Sequence, residues 1–264
     1  MKNSLIIRVC AFYLMAAFSP VAAEIIEVSN FRQILDYVDQ DTLLILDIDD
    51  TLLIPVQTLG TDVWFISRLE RHRQVEQDHT SALDRALAEW EAVRHLTKVK
   101  LVEEGSDQIV DMLQKMNTVV IGLTTQGLAL ATRTVNQLKA LGINLSMTAP
   151  TAHDHYFMNG TTGVLFRHGI LFTSGSSKGE ALIKLLNVID FHPKSVVFIN
   201  DKKTHLDDLE RGVAREGIPF IGLRYSYSDS RVAVFDEGIA TIQWAHSTFG
   251  SILSDEEAAL ILNR

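Results

Sequence analysis

The chain has 264 residues, 47% of them hydrophobic, with 33 acidic residues against 24 basic ones. That length and apolar content suffice for one large domain, or a domain with an insertion, and exclude an intrinsically disordered chain. A formal net charge of −9 argues against a surface for nucleic acid or anionic membranes, and Cys10 is the one cysteine.

The N-terminus reads as a targeting segment. Lys2 and Arg8 give a positive start, Val9 to Phe18 is an apolar run, and Ser19-Pro20-Val21-Ala22-Ala23 offers small residues for cleavage. The run falls short of the ~20 residues that span a bilayer. We therefore read residues 1–23 as a signal peptide cleaved after Ala23, with a periplasmic or secreted product. Cleavage removes Cys10, so the mature chain has no disulfide, thiolate metal site or cysteine nucleophile. It also removes two basic residues, leaving 22 against 33 acidic ones, a formal charge of −11.

Residues 24–42 read as a lead-in helix, with Ser29 or Asn30 as N-cap and Phe31, Ile34, Leu35 and Val38 at helical spacing. Leu43-Leu44-Ile45-Leu46 then forms a short apolar run of the kind a strand needs when both sheet faces are covered. It runs through Ile48 into Asp47, Asp49, Asp50 and Thr51, carboxylates that are costly beside a core unless a cation or hydrogen bonds compensate them.

The next 60 or so residues lack a strand of that quality and read as helices. The expected helices cover Asp62–Arg73, a stretch starting at Ser81 with Asp84 three residues on, and Ser106–Met116. In the second, Leu83, Leu87, Trp90 and Val93 line one face, with Glu89, Glu91 and Arg94 elsewhere. The stretch exceeds an ordinary crossover and marks residues 54–116 as an inserted helical cap. Residues 24–53 and 117–264 then make up the core.

Further strands are expected at Thr118–Leu123, Ile143–Met147, Ser195–Ile199 and Pro219–Leu223. A hairpin is expected over Val164–Phe172, and Asn159-Gly160 reads as a turn. Helices are expected over Leu128–Leu141, Lys178–Ile189, about Thr204–Glu216, and from Ser254 onward. Strands alternating with helices define an α/β, Rossmann-like fold with a mainly parallel sheet.

Three of these strands end in polar residues, at Asp47/Asp49, Thr124 and Asp201, and Lys178 opens a helix between the last two. In a parallel sheet such ends share one edge, where ligands bind. This order resembles the haloacid dehalogenase superfamily of phosphatases and phosphotransferases, in an exported, little-characterised branch. The resemblance implies Asp47 as nucleophile and Asp49 as acid/base. It implies Thr124, Thr125 and Lys178 on the phosphoryl oxygens, with Lys178 also catalytic. Magnesium would be held by Asp47, the main-chain carbonyl of Asp49, and Asp201. The implied partner is a small phosphorylated substrate, with no nucleic acid and no membrane after cleavage. A binding module that has lost turnover, or a phosphotransferase or phosphomutase, remains an alternative use of the same site.

The fourth motif departs from the family pattern. Asn200 precedes Asp201, and Asp207 and Asp208 lie slightly beyond the usual spacing, so one charge is lost. His153-Asp154-His155 reads as a solvated loop more readily than as a metal site. Trp64 and Phe65 are candidates for the leaving group or for packing in the cap.

Overall fold

The structure, a computed structural model, describes residues 23–76, 78–248 and 252–263. The expected signal peptide lies, apart from Ala23, outside the described residues. Strands β1 (Ala23–Val28), β2 (Thr42–Leu46), β5 (Val119–Thr124), β6 (His155–Asn159), β7 (Thr162–Arg167), β8 (Ile170–Phe172), β9 (Ser195–Asn200) and β10 (Phe220–Tyr225) form one sheet. Their spatial order is β1-β10-β9-β2-β5-β8-β7-β6. The first six in that order run parallel, and β7 and β6 close one side as an antiparallel pair. The fold is therefore α/β and Rossmann-like, as expected.

The apolar run in β2 is explained by its neighbours. Leu44 and Leu46 join one buried cluster with Val28, Phe31, Val120 and Ile199. Leu43 and Ile45 join a second with Ile121, Leu123, Val196 and Phe198. Both faces of the strand are covered, so Leu43–Leu46 are all apolar, and the one polar residue, Thr42 at the strand's start, has its hydroxyl bonded to Asp39. Each fully buried side chain of this kind contributes about 1.5–3 kcal/mol.

Helix α3 (Ser106–Lys115) lays Val110 and Leu113 on the first cluster, together with Val135 and Leu138 of α4 (Ala131–Ala140). Helices α5 (Lys178–Val188) and α6 (Lys203–Arg215) cover the other face. They cross where Gly179 meets Gly212; a Cβ on Gly212 would lie 2.7 Å from the Gly179 Cα. Only glycine permits that approach, which fixes the start of α5.

Two expectations for the core are corrected. Residues 24–42 form β1 and a 3-10 turn over Phe31–Asp36, not one helix, because Glu24–Val28 pairs in parallel with β10. Asn30 does cap the turn. Ile143–Met147 is no strand, although Ile143 and Leu145 are buried. The sheet position beside β5 is taken by β8, and Gly169 packs against the Leu145 carbonyl, where a Cβ would come within 2.2 Å. Backbone contact there leaves no room for another ladder.

The insertion carries a small antiparallel pair, β3 (Leu53–Pro55) with β4 (Val99–Leu101), and helices α1 (Asp62–Arg73) and α2 (His79–Leu96). Asp78, not Ser81, caps α2: its carboxylate accepts from the Ser81 N–H at 2.9 Å. Helix α3, placed in the cap by the sequence boundary at residue 116, packs on the main sheet.

The C-terminal helices α7 (Asp229–Ala233), α8 (Glu237–His246) and α9 (Asp255–Leu262) do the opposite. Trp64 of α1 stacks near Trp244 of α8, with ring centroids 5.7 Å apart. Gln243 accepts from the Leu59 N–H at 2.8 Å, and Asp255 receives both the N–H and the hydroxyl of Thr58. The tail thus completes the cap. Among the described residues no helix is long and apolar enough to cross a membrane.

Candidate active site

Strands β9, β2 and β5 are adjacent, and their register sets the site. Leu46 pairs with Ile199 on one side and with Gly122 on the other. Two residues further on, Asp201 and Thr124 flank Ile48 at the carboxyl edge of the sheet. Asp47 extends the ladder by donating its N–H to the Ile199 carbonyl at 3.1 Å. The chain then reverses through Asp50, whose φ of 57° is left-handed. That reversal lets the N–H groups of Leu52 and Leu53 both donate to the Ile48 carbonyl at 3.0 Å.

Asp47 and Lys178 are brought together, as expected. Both are buried, and Lys178 Nζ donates to Asp47 Oδ1 and to the Leu123 carbonyl at 3.2 Å. The ammonium also lies 5.3 Å from the Phe198 ring centroid. Asp208 explains why a lysine can be held there: its carboxylate accepts from the Ser177 hydroxyl and the Gly179 N–H, fixing the first turn of α5. Burial pushes the Asp47 carboxyl above its ordinary value, against the pull of Lys178.

Asp49 is held by residues from two regions. Arg94 of α2 donates to Oδ1 at 2.7 Å, and Gln126 Nε2 donates to Oδ2 at 2.7 Å. Burial raises the Asp49 carboxyl, with Arg94 opposing. Arg94 is 2% exposed and stands 5.3 Å from the Trp90 ring centroid. Its burial was not legible: on the expected helix it fell off the apolar face, and it is 45 residues from its partner. Gln126, two residues after Thr124, is the kind of follow-on position that could have been found.

Asp201 is 8% exposed, and no hydrogen bond or ion pair from the described residues reaches its carboxylate. Burial, then the charge of Asp47, pushes it up to about 8. Asp62, at the start of α1, pairs with Lys202 across the gap between cap and core. Burial works against the ionised form of Asp62, yet Lys202 and Arg94 hold its carboxyl below the ordinary value. Neither member of that pair was singled out from sequence, although Lys202 follows Asp201 directly. Burial and the neighbouring Asp62 and Asp49 carboxylates push Asp50 up to about 7.

The remaining expected residues divide. Thr124 is buried, and its hydroxyl accepts from the Gln126 N–H at 3.1 Å. Thr125 is exposed at the rim. Asn200 shapes its own loop, accepting from the Lys202 N–H at 2.7 Å, while Asp207 pairs with Lys203. Asp154 pairs with Arg167, away from the site. Trp64 packs inside the cap, whereas Phe65 faces a cleft of about 610 Å³ between cap and core. Thr125, Gln126, Lys202 and His205 share that cleft. Among the described residues no three metal-ligating side chains form a cluster. The set expected here has two carboxylates and a main-chain carbonyl, so its donors are oxygen throughout.

Fold and site together define an α/β protein with a carboxylate-rich rim beneath a composite cap. Residues 27–259 match the family described as a protein of unknown function (DUF2608), and the chain belongs to that family. It is 25% identical over 261 residues to a protein of Chlamydia trachomatis serovar D whose name assigns it provisionally to the outer membrane. That match covers 96% of this chain and 97% of the relative. An uncharacterised protein of Rickettsia prowazekii is 26% identical over 255 residues, covering 89% and 88%. Among solved structures, a haloacid dehalogenase-like family hydrolase from Streptococcus pneumoniae matches with a TM-score of 0.44 and 12% identity. The match covers 70% of this chain and 95% of that one.

Proposed function

We propose that this chain is an exported, magnesium-dependent phosphomonoester hydrolase that works through an aspartyl-phosphate. The observation that supports it most is the Asp47–Asp201 pair. Two carboxylates stand at one buried rim. Lys178 pairs with Asp47, whereas Asp201 makes no ion pair or hydrogen bond among the described residues, and the main positive charge it feels, Lys202, is itself paired with Asp62. Removing charge from water at that cost is sustained when a cation completes the set. Asp47, Asp201 and the Asp49 carbonyl are hard oxygen donors of the kind magnesium takes. When bound, the ion would neutralise charge on the phosphoryl oxygens.

An Asp47 oxygen attacks phosphorus as the ester P–O bond breaks, and the leaving oxygen takes a proton from Asp49. Asp49 then removes a proton from water, which attacks the aspartyl-phosphate phosphorus and frees inorganic phosphate. Lys178, Thr124 and Thr125 hold the phosphoryl oxygens through both steps. Arg94 and Gln126 hold Asp49, and Gln126 also lines the cleft. The outer-membrane name of the chlamydial relative and the signal-peptide pattern expected over residues 1–23 support a place outside the cytoplasm.

Hydrolysis of p-nitrophenyl phosphate by the mature chain tests this. Activity is expected with magnesium and is lost with EDTA or in Asp47→Asn. Metal-independent activity, or activity that survives Asp47→Asn, overturns the mechanism. The ion pairs already made by Asp47 and Asp49 favour one second reading, a phosphate-binding protein. Phosphate binding without turnover would select it.

A further inference from the structure

The cleft above the rim has two unlike walls. The cap presents Phe65, Ile66, Leu83, Leu87 and Trp90, while the core presents Thr125, Gln126 and Ser174 beside Lys202. Phe65, Leu83 and Leu87 are half-buried, and Ile66 is 47% exposed, so this apolar face is open to an occupant from solvent. The core wall adjoins the phosphoryl site, whose carboxylates lie beside the cleft and not in its lining: Gln126 bonds Asp49, and Lys202 follows Asp201.

We propose that the cleft binds the organic part of a phosphomonoester whose alcohol is apolar and uncharged, such as a medium-chain alkyl or aryl-alkyl group. This rests on the phosphohydrolase reading above. A sugar or other polyol would lose water at its hydroxyls along the cap wall and find among those five side chains a single donor, the buried Trp90 indole N–H, and no acceptor in return. A leaving group with a second anionic group would meet Glu91 against the cap wall, while the one lysine lining the cleft, Lys202, is already paired with Asp62. Burial raises the Glu91 carboxyl, in line with its place against this wall. The volume of about 610 Å³ lies within the range of sites that enclose small organic ligands.

The test compares butyl, hexyl and octyl phosphate with glycerol 3-phosphate and ribose 5-phosphate, using the mature chain and magnesium. The expected result is a rise in kcat/KM of about two- to fourfold per methylene from butyl to hexyl. Hexyl phosphate should exceed both polyol phosphates by at least about tenfold. A flat chain-length series, or a preference for the polyol esters, overturns the proposal and leaves the hydrolase reading standing. Should no ester turn over, the hydrolase reading fails and calorimetry with alkylphosphonates still decides the point. Hexylphosphonate binding at least about tenfold more tightly than methylphosphonate supports the apolar cleft, and equal affinities overturn it. Leu87→Asn should shrink that ratio; an unchanged ratio counts against the cleft as the binding surface.

Discussion

The central sheet and the cap above it differ in how much of their packing is apolar. The sheet packs uninterrupted apolar strands between helices, with Leu43 to Leu46 fully buried on two faces. The cap is assembled from two distant segments through a small apolar cluster, Leu59, Trp64 and Trp90 with Ala240, and a ring of polar contacts around it. Thr58 meets Asp255, Leu59 meets Gln243, and Ser67 and Arg71 meet Glu237. Apolar packing supplies most of the stability in the first case, whereas the second adds to a smaller apolar cluster the pairing of buried polar groups such as the Leu59 N–H with Gln243. The proposed chemistry lies at the boundary, where the core supplies the nucleophile and the cap reaches down with Arg94.

The largest expected effect falls on the core side. Asp47→Asn should cut phosphatase activity by about 10⁴-fold or more while leaving the fold intact, measured by steady-state kinetics alongside circular dichroism. A variant within tenfold of the parent would remove Asp47 from the reaction.

Next is the residue that joins the two regions. Arg94→Met leaves Asp49 buried without its cation, and breaking such a pair costs about 3–5 kcal/mol. Urea denaturation should show a loss of that order, and a loss near zero would mean that the cap is not anchored there. Gln243→Ala should cost less, about 1–3 kcal/mol, because it strands the Leu59 N–H and one contact to Asp255. Limited proteolysis should then cut the tail faster while the sheet remains protected.

The same comparison explains what could be read from the sequence. The strand expected at Leu43–Ile48, which ends at Leu46, the helices at Asp62–Arg73 and Lys178–Val188, and the convergence of Asp47, Thr124, Lys178 and Asp201 at one edge were legible. Those features follow from apolar periodicity and from strand ends, which are local signals. Strand β1 was not legible, since Glu24–Val28 becomes a strand only by pairing with β10, almost 200 residues away. The tail's place in the cap was hidden for the same reason. Arg94 was hidden more deeply, because a buried arginine on a helix looks like a solvated one until its carboxylate is located.

The smallest effect concerns pH. Burial, then the positive charges of Lys178 and Lys202, lowers the His205 imidazole to about 3. The histidine is neutral in both states above about pH 6.5. As pH falls below that, the unfolded chain takes up a proton that the folded chain refuses, so stability drops. The loss should be about 1 kcal/mol at pH 5.5, seen as a falling Tm, and His205→Gln should flatten that part of the profile. An unchanged acid limb in the variant would mean that His205 protonates freely in the fold.

The most direct measurement is acid quenching of the mature chain with magnesium and a fast-leaving aryl phosphate, followed by peptide mass spectrometry. The account predicts a phosphoryl increment on the peptide containing Asp47, absent in Asp47→Asn and in EDTA. Turnover with the label on another residue, or with no labelled peptide under quench conditions that trap a control aspartyl-phosphate, would contradict it.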